Sequence, residues 1–259
     1  MAFCSHCLDL NELTGSPSGS ETKIGGVDTY VAKGSNKQGG IIVATDIFGL
    51  KIVNPKIVAD EIAKQSGFSV YVPDIFPGGA IDAQDFVLPK RASEGAPSED
   101  QTSKNFENFG QWIGKKNSPD HTFPIFKSVA EEVKKTNGGK VGGVGFCYGG
   151  KLVALGALDG VLSAGAIYHP ALLEAEEASK IKVPILLNQA ELDPLFQGEL
   201  KDAWNNNLKS NNVLDKRTKE YPNTVHGFGS RPDLKDAKVK AGHEEALKNT
   251  SAFFAETLA

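Results

Sequence analysis

The stretch that most constrains the fold is Val141-Gly142-Gly143-Val144-Gly145-Phe146-Cys147-Tyr148-Gly149-Gly150. An apolar, Gly-rich run enters Gly-x-Cys-x-Gly, and a helical pattern follows. This is the nucleophile-elbow pattern with Cys in place of the usual Ser. A strand-to-helix turn this sharp strains the backbone of its central residue and leaves no room for side chains two positions either side. Gly145 and Gly149 meet that demand and leave Cys147 displayed above the next helix N-terminus, whose open N–H groups and partial positive charge favour a thiolate.

The elbow requires a parallel sheet around it, and the chain supplies the rhythm of one. Ile41-Ile42-Val43-Ala44 reads as a buried strand, a helical pattern follows from Lys51, and Phe68–Val72 is the next strand. Helices are expected over Asn105–Lys115 and Pro119–Lys135. Later strands are expected at Val161–Tyr168, Pro184–Asn188 and Arg217–Tyr221, with a terminal helix over Asp233–Thr257. The class is α/β, with a mostly parallel central sheet and helices on both faces. Residues 1–22, rich in Ser, Gly, Thr and Pro, read as a tail that is poorly ordered or lies on the surface. Residues 23–259 read as one domain. Residues 75–101, punctuated by Pro and Gly, are either a substrate-side loop or a surface excursion. Lys90 and Arg91 are its charges that could meet an anion.

Composition removes several function classes. A formal charge of −4 without a basic cluster argues against nucleic acid. No apolar run is long enough for a membrane span. Met1–Leu10 has neither the basic region nor the apolar core of a secretory leader. Three cysteines are too few, and odd in number, for a disulfide framework, so a reducing compartment, the cytoplasm, is expected. Cys4-Ser5-His6-Cys7 has C-x-x-C spacing but no second pair to complete a zinc site.

Three chemistries compete for the Gly-rich turn. A dinucleotide fingerprint fails because Tyr148 stands where its third glycine belongs, and a P-loop fails because Leu152 replaces the magnesium-binding hydroxyl. Nucleophilic catalysis requires an acid and then a His at later strand ends. Asp193 and His226 follow two strands in that order, as in α/β-hydrolases. His226 would exchange the proton and Asp193 would fix its tautomer. Backbone N–H groups of Ile47 and Tyr148 would form the oxyanion hole. His169 is the rival base, but it lies upstream of the acid. Glu191 is the substitute acid. His6, His121 and His243 occupy less suitable places.

Gly145-Phe146-Cys147-Tyr148-Gly149-Gly150, Asp193 and His226-Gly227-Phe228 together resemble the dienelactone hydrolase family. So do Ile41–Gly49 and Val70–Asp74, and the likeness covers about residues 24–258. Thr14–Ala32 looks most like the fungal branch. The resemblance implies an α/β-hydrolase fold and a Cys147-His226-Asp193 triad, with no metal or organic cofactor. It implies hydrolysis of a small lactone or ester, one that can carry a carboxylate, through a thioester. It also implies a thiol-modulating carboxylate, which in bacterial members is Glu and here is Asp46. Arg231 and Arg91 are implied as substrate-carboxylate ligands. Oligomeric state is left as monomer or homodimer. Thioesterase or acyltransferase chemistry on the same triad, or a non-hydrolytic ligand-binding or redox-responsive protein, remain as alternatives.

Overall fold

The computed structural model describes residues 11–35, 38–82, 85–87, 89–95 and 97–259. Cys4-Ser5-His6-Cys7 lies outside them. The first elements are β1 (Ser20–Ile24), β2 (Val27–Ala32), β3 (Gly40–Ala44), α1 (Asn54–Ser66) and β4 (Val70–Pro73). Next come α2 (Glu99–Ile113), α3 (Pro119–Asn137), β5 (Val141–Phe146), α4 (Tyr148–Asp159) and β6 (Ala164–Tyr168). The chain continues with α5 (Ala175–Lys180), β7 (Ile185–Leu192), α6 (Gly198–Ser210), β8 (Lys219–Val225) and α7 (Ala237–Thr257).

The strands form one eight-stranded sheet in the order β1-β2-β4-β3-β5-β6-β7-β8. β1, β2 and β4 pair antiparallel, and every pairing from β4 through β8 is parallel. The mostly parallel sheet expected from the strand–helix rhythm is therefore present. Its central strands are buried on both faces, which is why they read as unbroken apolar runs. Along β3, Ile42 and Ala44 enter one core with α3 and α4, while Ile41 and Val43 enter the other with α1 and α7. Helices thus cover both faces, and β5 runs through the middle.

Local chemistry explains the boundaries. Gly67 ends α1 in the left-handed region at φ 79° and returns its N–H to the Ala63 carbonyl. Asp236 caps α7 by accepting the N–H groups of Lys238 and Val239. α2 begins at Glu99, earlier than the expected Asn105, because Ser98 caps it and Glu99 and Asp100 complement its first turn. β8 extends to Val225, through Pro222, where a loop was expected. A proline is tolerated there because β8 is an edge strand. β1 starts at Ser20, inside the stretch 1–22; it is exposed along most of its length and carries no apolar alternation to announce it. Upstream of it, Leu13 N–H and Ser18 N–H donate to Asn54 and Asp60 of α1. Among the described residues no helix is long and apolar enough to cross a membrane.

The elbow rests on close backbone contact. A Cβ on Gly149 would sit 2.0 Å from the Ala44 carbonyl oxygen, and one on Gly145 would sit 2.3 Å from the Gly149 oxygen. Gly149→Ala should therefore destabilise by about 1–3 kcal/mol or more. At this chain length that lowers Tm by about 2–4 °C per kcal/mol. Gly110→Ala, in α2 with nothing within 4 Å of the new methyl, should instead gain about 0.5–1 kcal/mol. Thermal melts of the two variants test the contrast.

Candidate active site

Cys147 sits between β5 and α4 with φ 54° and ψ −115°, a conformation rare for a residue with a side chain. The surroundings hold it there. Its N–H donates to the Tyr168 carbonyl at 3.1 Å, and its own carbonyl accepts from Gly150 and Ala171 at 3.0 Å each. The thiol is unpaired and buried at 7 % exposure. Behind it, the Tyr148 hydroxyl bonds the Asn117 carbonyl and Thr122, which ties α4 to the start of α3. Among the described residues neither the Ile47 nor the Tyr148 N–H has an acceptor. Ile47 and Cys147 both line the same cavity.

The ends of β7 and β8 bring Asp193 and His226 together. His226 Nδ1 lies 2.9 Å from Asp193 Oδ1, and that oxygen also accepts the Leu195 N–H at 3.0 Å. His226 N–H donates to the Leu192 carbonyl, which fixes the loop. The ring is fully enclosed. Burial opposes its charge, but the negative charges of Asp193 and Cys147 and the hydrogen bond to Asp193 outweigh this, and its pKa is pushed up to about 10. Among the described residues Nε2 has no hydrogen-bond partner, and His226 borders the cavity that Cys147 also lines.

The rival histidine is in a different state. His169 lies 5.0 Å from His226, ring centre to ring centre, and among the described residues neither of its ring nitrogens has a partner. Burial, and then the charges of His226 and Arg231, hold its pKa well below the usual range, so it stays neutral. No carboxylate supports it. His243 Nδ1–H donates to the Phe228 carbonyl at 3.1 Å, and burial lowers its pKa to about 4. His121 bonds Ser118 at the entry of α3. Glu191 accepts the Asn223 N–H and does not contact the imidazole.

The carboxylate and the two arginines are each paired within the protein. Asp46, 1 % exposed, accepts Phe48 N–H at 3.1 Å through Oδ1, and the Ser230 hydroxyl at 2.8 Å and Arg231 Nε at 3.0 Å through Oδ2. Cys147 is not among its partners. Arg231 lines the cavity, but it is committed to Asp46 and stacked 4.6 Å from the Phe48 ring centre. Arg91 does not line the cavity. Asp233 at 2.9 Å, Glu94 at 3.2 Å and Asp236 at 4.0 Å neutralise its guanidinium. Lys90, in the same loop, does not line it either. Among the described residues no group of His, Cys, Asp and Glu could hold a metal ion.

The cavity holds about 440 Å³ beside Cys147, and most of its wall is apolar. Sequence reasoning missed that wall. Phe106 and Phe109 of α2 and Leu172 and Leu195 from the loops after β6 and β7 contribute to it. The spacing of Phe106, Phe109 and Ile113 along one helical face is the sequence signal for it. Ser230 was missed as well.

The dienelactone hydrolase family model matches residues 27–258. Hydrolase pyvD of Aspergillus violaceofuscus is 28 % identical over 97 % of this chain and 96 % of its own length. Dienlactone hydrolase 1 of Gibberella moniliformis is 30 % identical over 93 % of this chain and 89 % of its own. The crystal structure of a Klebsiella pneumoniae protein assigned as a dienelactone hydrolase superposes with a TM-score of 0.69 at 18 % identity, covering 92 % of this chain and 98 % of that one. The fold is accordingly the α/β-hydrolase fold of that structure. The chain belongs to the dienelactone hydrolase family, and has fungal relatives within it.

The electrostatics of His226 make a pH prediction. Unfolded, the imidazole titrates near 6.5; folded, it titrates near 10. A raised folded-state pKa gives stability that is complete below the unfolded value and is lost as pH rises through the folded one. Melts of the wild type and of His226→Gln should therefore converge as pH is raised from about 6.5 towards about 10. A gap that is constant across this window would show that the imidazolium is not the favoured folded form.

Proposed function

We propose that this member of the dienelactone hydrolase family is a cysteine-dependent carboxylic-ester hydrolase that works through a thioester acyl-enzyme. The observation that carries the proposal is the convergence of Cys147, His226 and Asp193 at one end of the sheet. His226 and Asp193 share a 2.9 Å contact, and the raised pKa of His226 favours imidazolium beside the sulfur. The dienelactone hydrolase-like ester and lactone chemistry of the family supports it, and the cysteine route is our reading.

In that route the Cys147 thiolate attacks the acyl carbon, and the carbonyl electron pair moves onto oxygen. The open N–H groups of Ile47 and Tyr148 would hold this oxyanion. As it collapses, the C–O bond to the alcohol breaks and the leaving oxygen takes the proton from His226 Nε2. A water then enters and gives a proton to His226, and the resulting hydroxide attacks the thioester. The C–S bond breaks, the acid leaves, and the thiolate and imidazolium pair is restored. Asp193 keeps Nδ1 protonated throughout, so that Nε2 is the nitrogen that exchanges. Tyr168 O, bonded to the Cys147 N–H, holds the sulfur in register during both attacks.

A catalytic thiol of this kind fits a reducing compartment, and we place the protein in the cytoplasm, as monomer or homodimer. Cys147→Ala should abolish hydrolysis of p-nitrophenyl esters while leaving the melting temperature near that of the wild type. Asp193→Asn should keep the fold and lower kcat by about 10⁴, through the wrong imidazole tautomer. Full activity of Cys147→Ala would overturn the assignment, and so would the absence of a covalent acyl adduct on Cys147 by mass spectrometry during turnover.

A further inference from the structure

Charge and exposure around the cavity point to the chemical class of the substrate; this step rests on the hydrolase reading above. Only two charge-bearing side chains line the described cavity, His226 and Arg231. The first faces Cys147. The second is paired with Asp46, and both members of the pair are buried, so together they present no net charge. The uncharged polar side chains of the wall are Thr102, Asn105 and Gln197. Of these, Asn105 is committed: its amide accepts Val87 N–H at 3.1 Å and donates to the Val87 carbonyl at 2.7 Å. Drawing Arg231 towards a ligand carboxylate would strand Asp46, which is 1 % exposed, without its cation.

The apolar wall, by contrast, is built and braced. Phe109 packs on Trp112, 5.7 Å between ring centres, and Trp112 packs edge-on against Tyr148 at 5.6 Å. Trp112 Nε1 also donates to the Gly79 carbonyl at 2.8 Å. The face of α2 towards the cavity is thereby set in register with the elbow. Large exposed hydrophobic side chains among the described residues number five, and three of them, Phe106, Leu172 and Leu195, line this cavity. Exposed apolar surface concentrated at a cavity marks a place where a ligand covers it.

We propose that the substrate is an uncharged ester or lactone with an apolar acyl body, of medium-chain or aryl type. The acyl body lies along Phe106 and Phe109, and its carbonyl lies at Cys147. A carboxylate-bearing lactone is disfavoured, because the cation that lines the described wall beside His226, Arg231, already has its charge balanced by buried Asp46.

The test compares p-nitrophenyl acetate, butyrate and octanoate with the mono-p-nitrophenyl ester of suberic acid, which matches octanoate in length but ends in a carboxylate. kcat/KM should rise along the first three by up to about fourfold per buried methylene. The suberate ester should fall at least about tenfold below octanoate, since burying an unpaired charge outweighs the chain's apolar gain. Phe109→Asp should lower the octanoate-to-acetate ratio. A second arm needs no turnover: Cys147→Ala should bind methyl octanoate more tightly than monomethyl suberate by calorimetry. Preference for the suberate ester, or a flat chain-length profile with turnover intact, overturns the substrate class and leaves the hydrolase reading standing. Equal binding of methyl octanoate and monomethyl suberate also overturns it. Absence of any ester turnover together with selective binding of methyl octanoate overturns the hydrolase reading and leaves the apolar pocket standing.

Discussion

The contact on which the rest of this structure depends is the one between Gly149 and the Ala44 carbonyl. It brings the first turn of α4 onto the end of β3 with no space for a methyl group. Cys147 must then turn back on itself, at φ 54°, to join β5 to α4. A residue held in this region costs about 1–3 kcal/mol, which the surroundings have to over-determine. They do so through the Tyr168 carbonyl on one side and the Gly150 and Ala171 N–H groups on the other. The site is thus assembled from neighbouring strands: β3 sends Ile47, β5 sends Cys147, and β7 and β8 send Asp193 and His226. Ligands in open α/β sheets gather at the carboxyl ends of the strands for this reason.

A second layer of support lies in the turn after His226. Arg231 N–H and Ser230 N–H both return to the Gly227 carbonyl. A Cβ on Gly227, which has φ 106°, would lie 2.7 Å from Arg231 Nη2. Ser230 and Arg231 then close on Asp46, which follows β3. The loop carrying the imidazole is therefore fastened to the loop carrying Ile47 by a buried ion pair. Such a pair contributes little net stability against an apolar substitute, yet losing one member leaves an uncompensated buried charge costing about 3–5 kcal/mol. In this setting its value is geometric: it couples the loop that carries His226 to the loop that carries Ile47.

Much of this was legible in the chain. Glycines at 145 and 149 announced the elbow because a backbone contact forbids any other residue, and a steric prohibition is visible in sequence. Continuous apolar runs announced β3 and β5 because both faces are buried. What was hidden is just as physical. Pro222 suggested a loop, and only the edge position of β8 permits the strand to pass through it. β1 pairs with β2 through backbone bonds, with side chains that face solvent, so no pattern marks it. Asp46, Arg91 and Arg231 were recognised as charges, but sequence does not say which charges cancel. Asp233 and Asp236 reach Arg91 from across the fold, and Asp46 occupies Arg231 from nearly two hundred residues away.

That cancellation separates two tasks that a single charged pocket would mix. A charge facing the substrate would also act on Cys147 and His226, whose balance between thiol–imidazole and thiolate–imidazolium is set by local charge. With Arg231 neutralised by Asp46 and Arg91 by acidic neighbours, the charges that act most strongly on His226 are those of Asp193 and Cys147. Interactions among buried charges such as these are strengthened by low-dielectric surroundings. The apolar cavity wall and the buried His226–Asp193 contact thus lie side by side, with Cys147 bordering both.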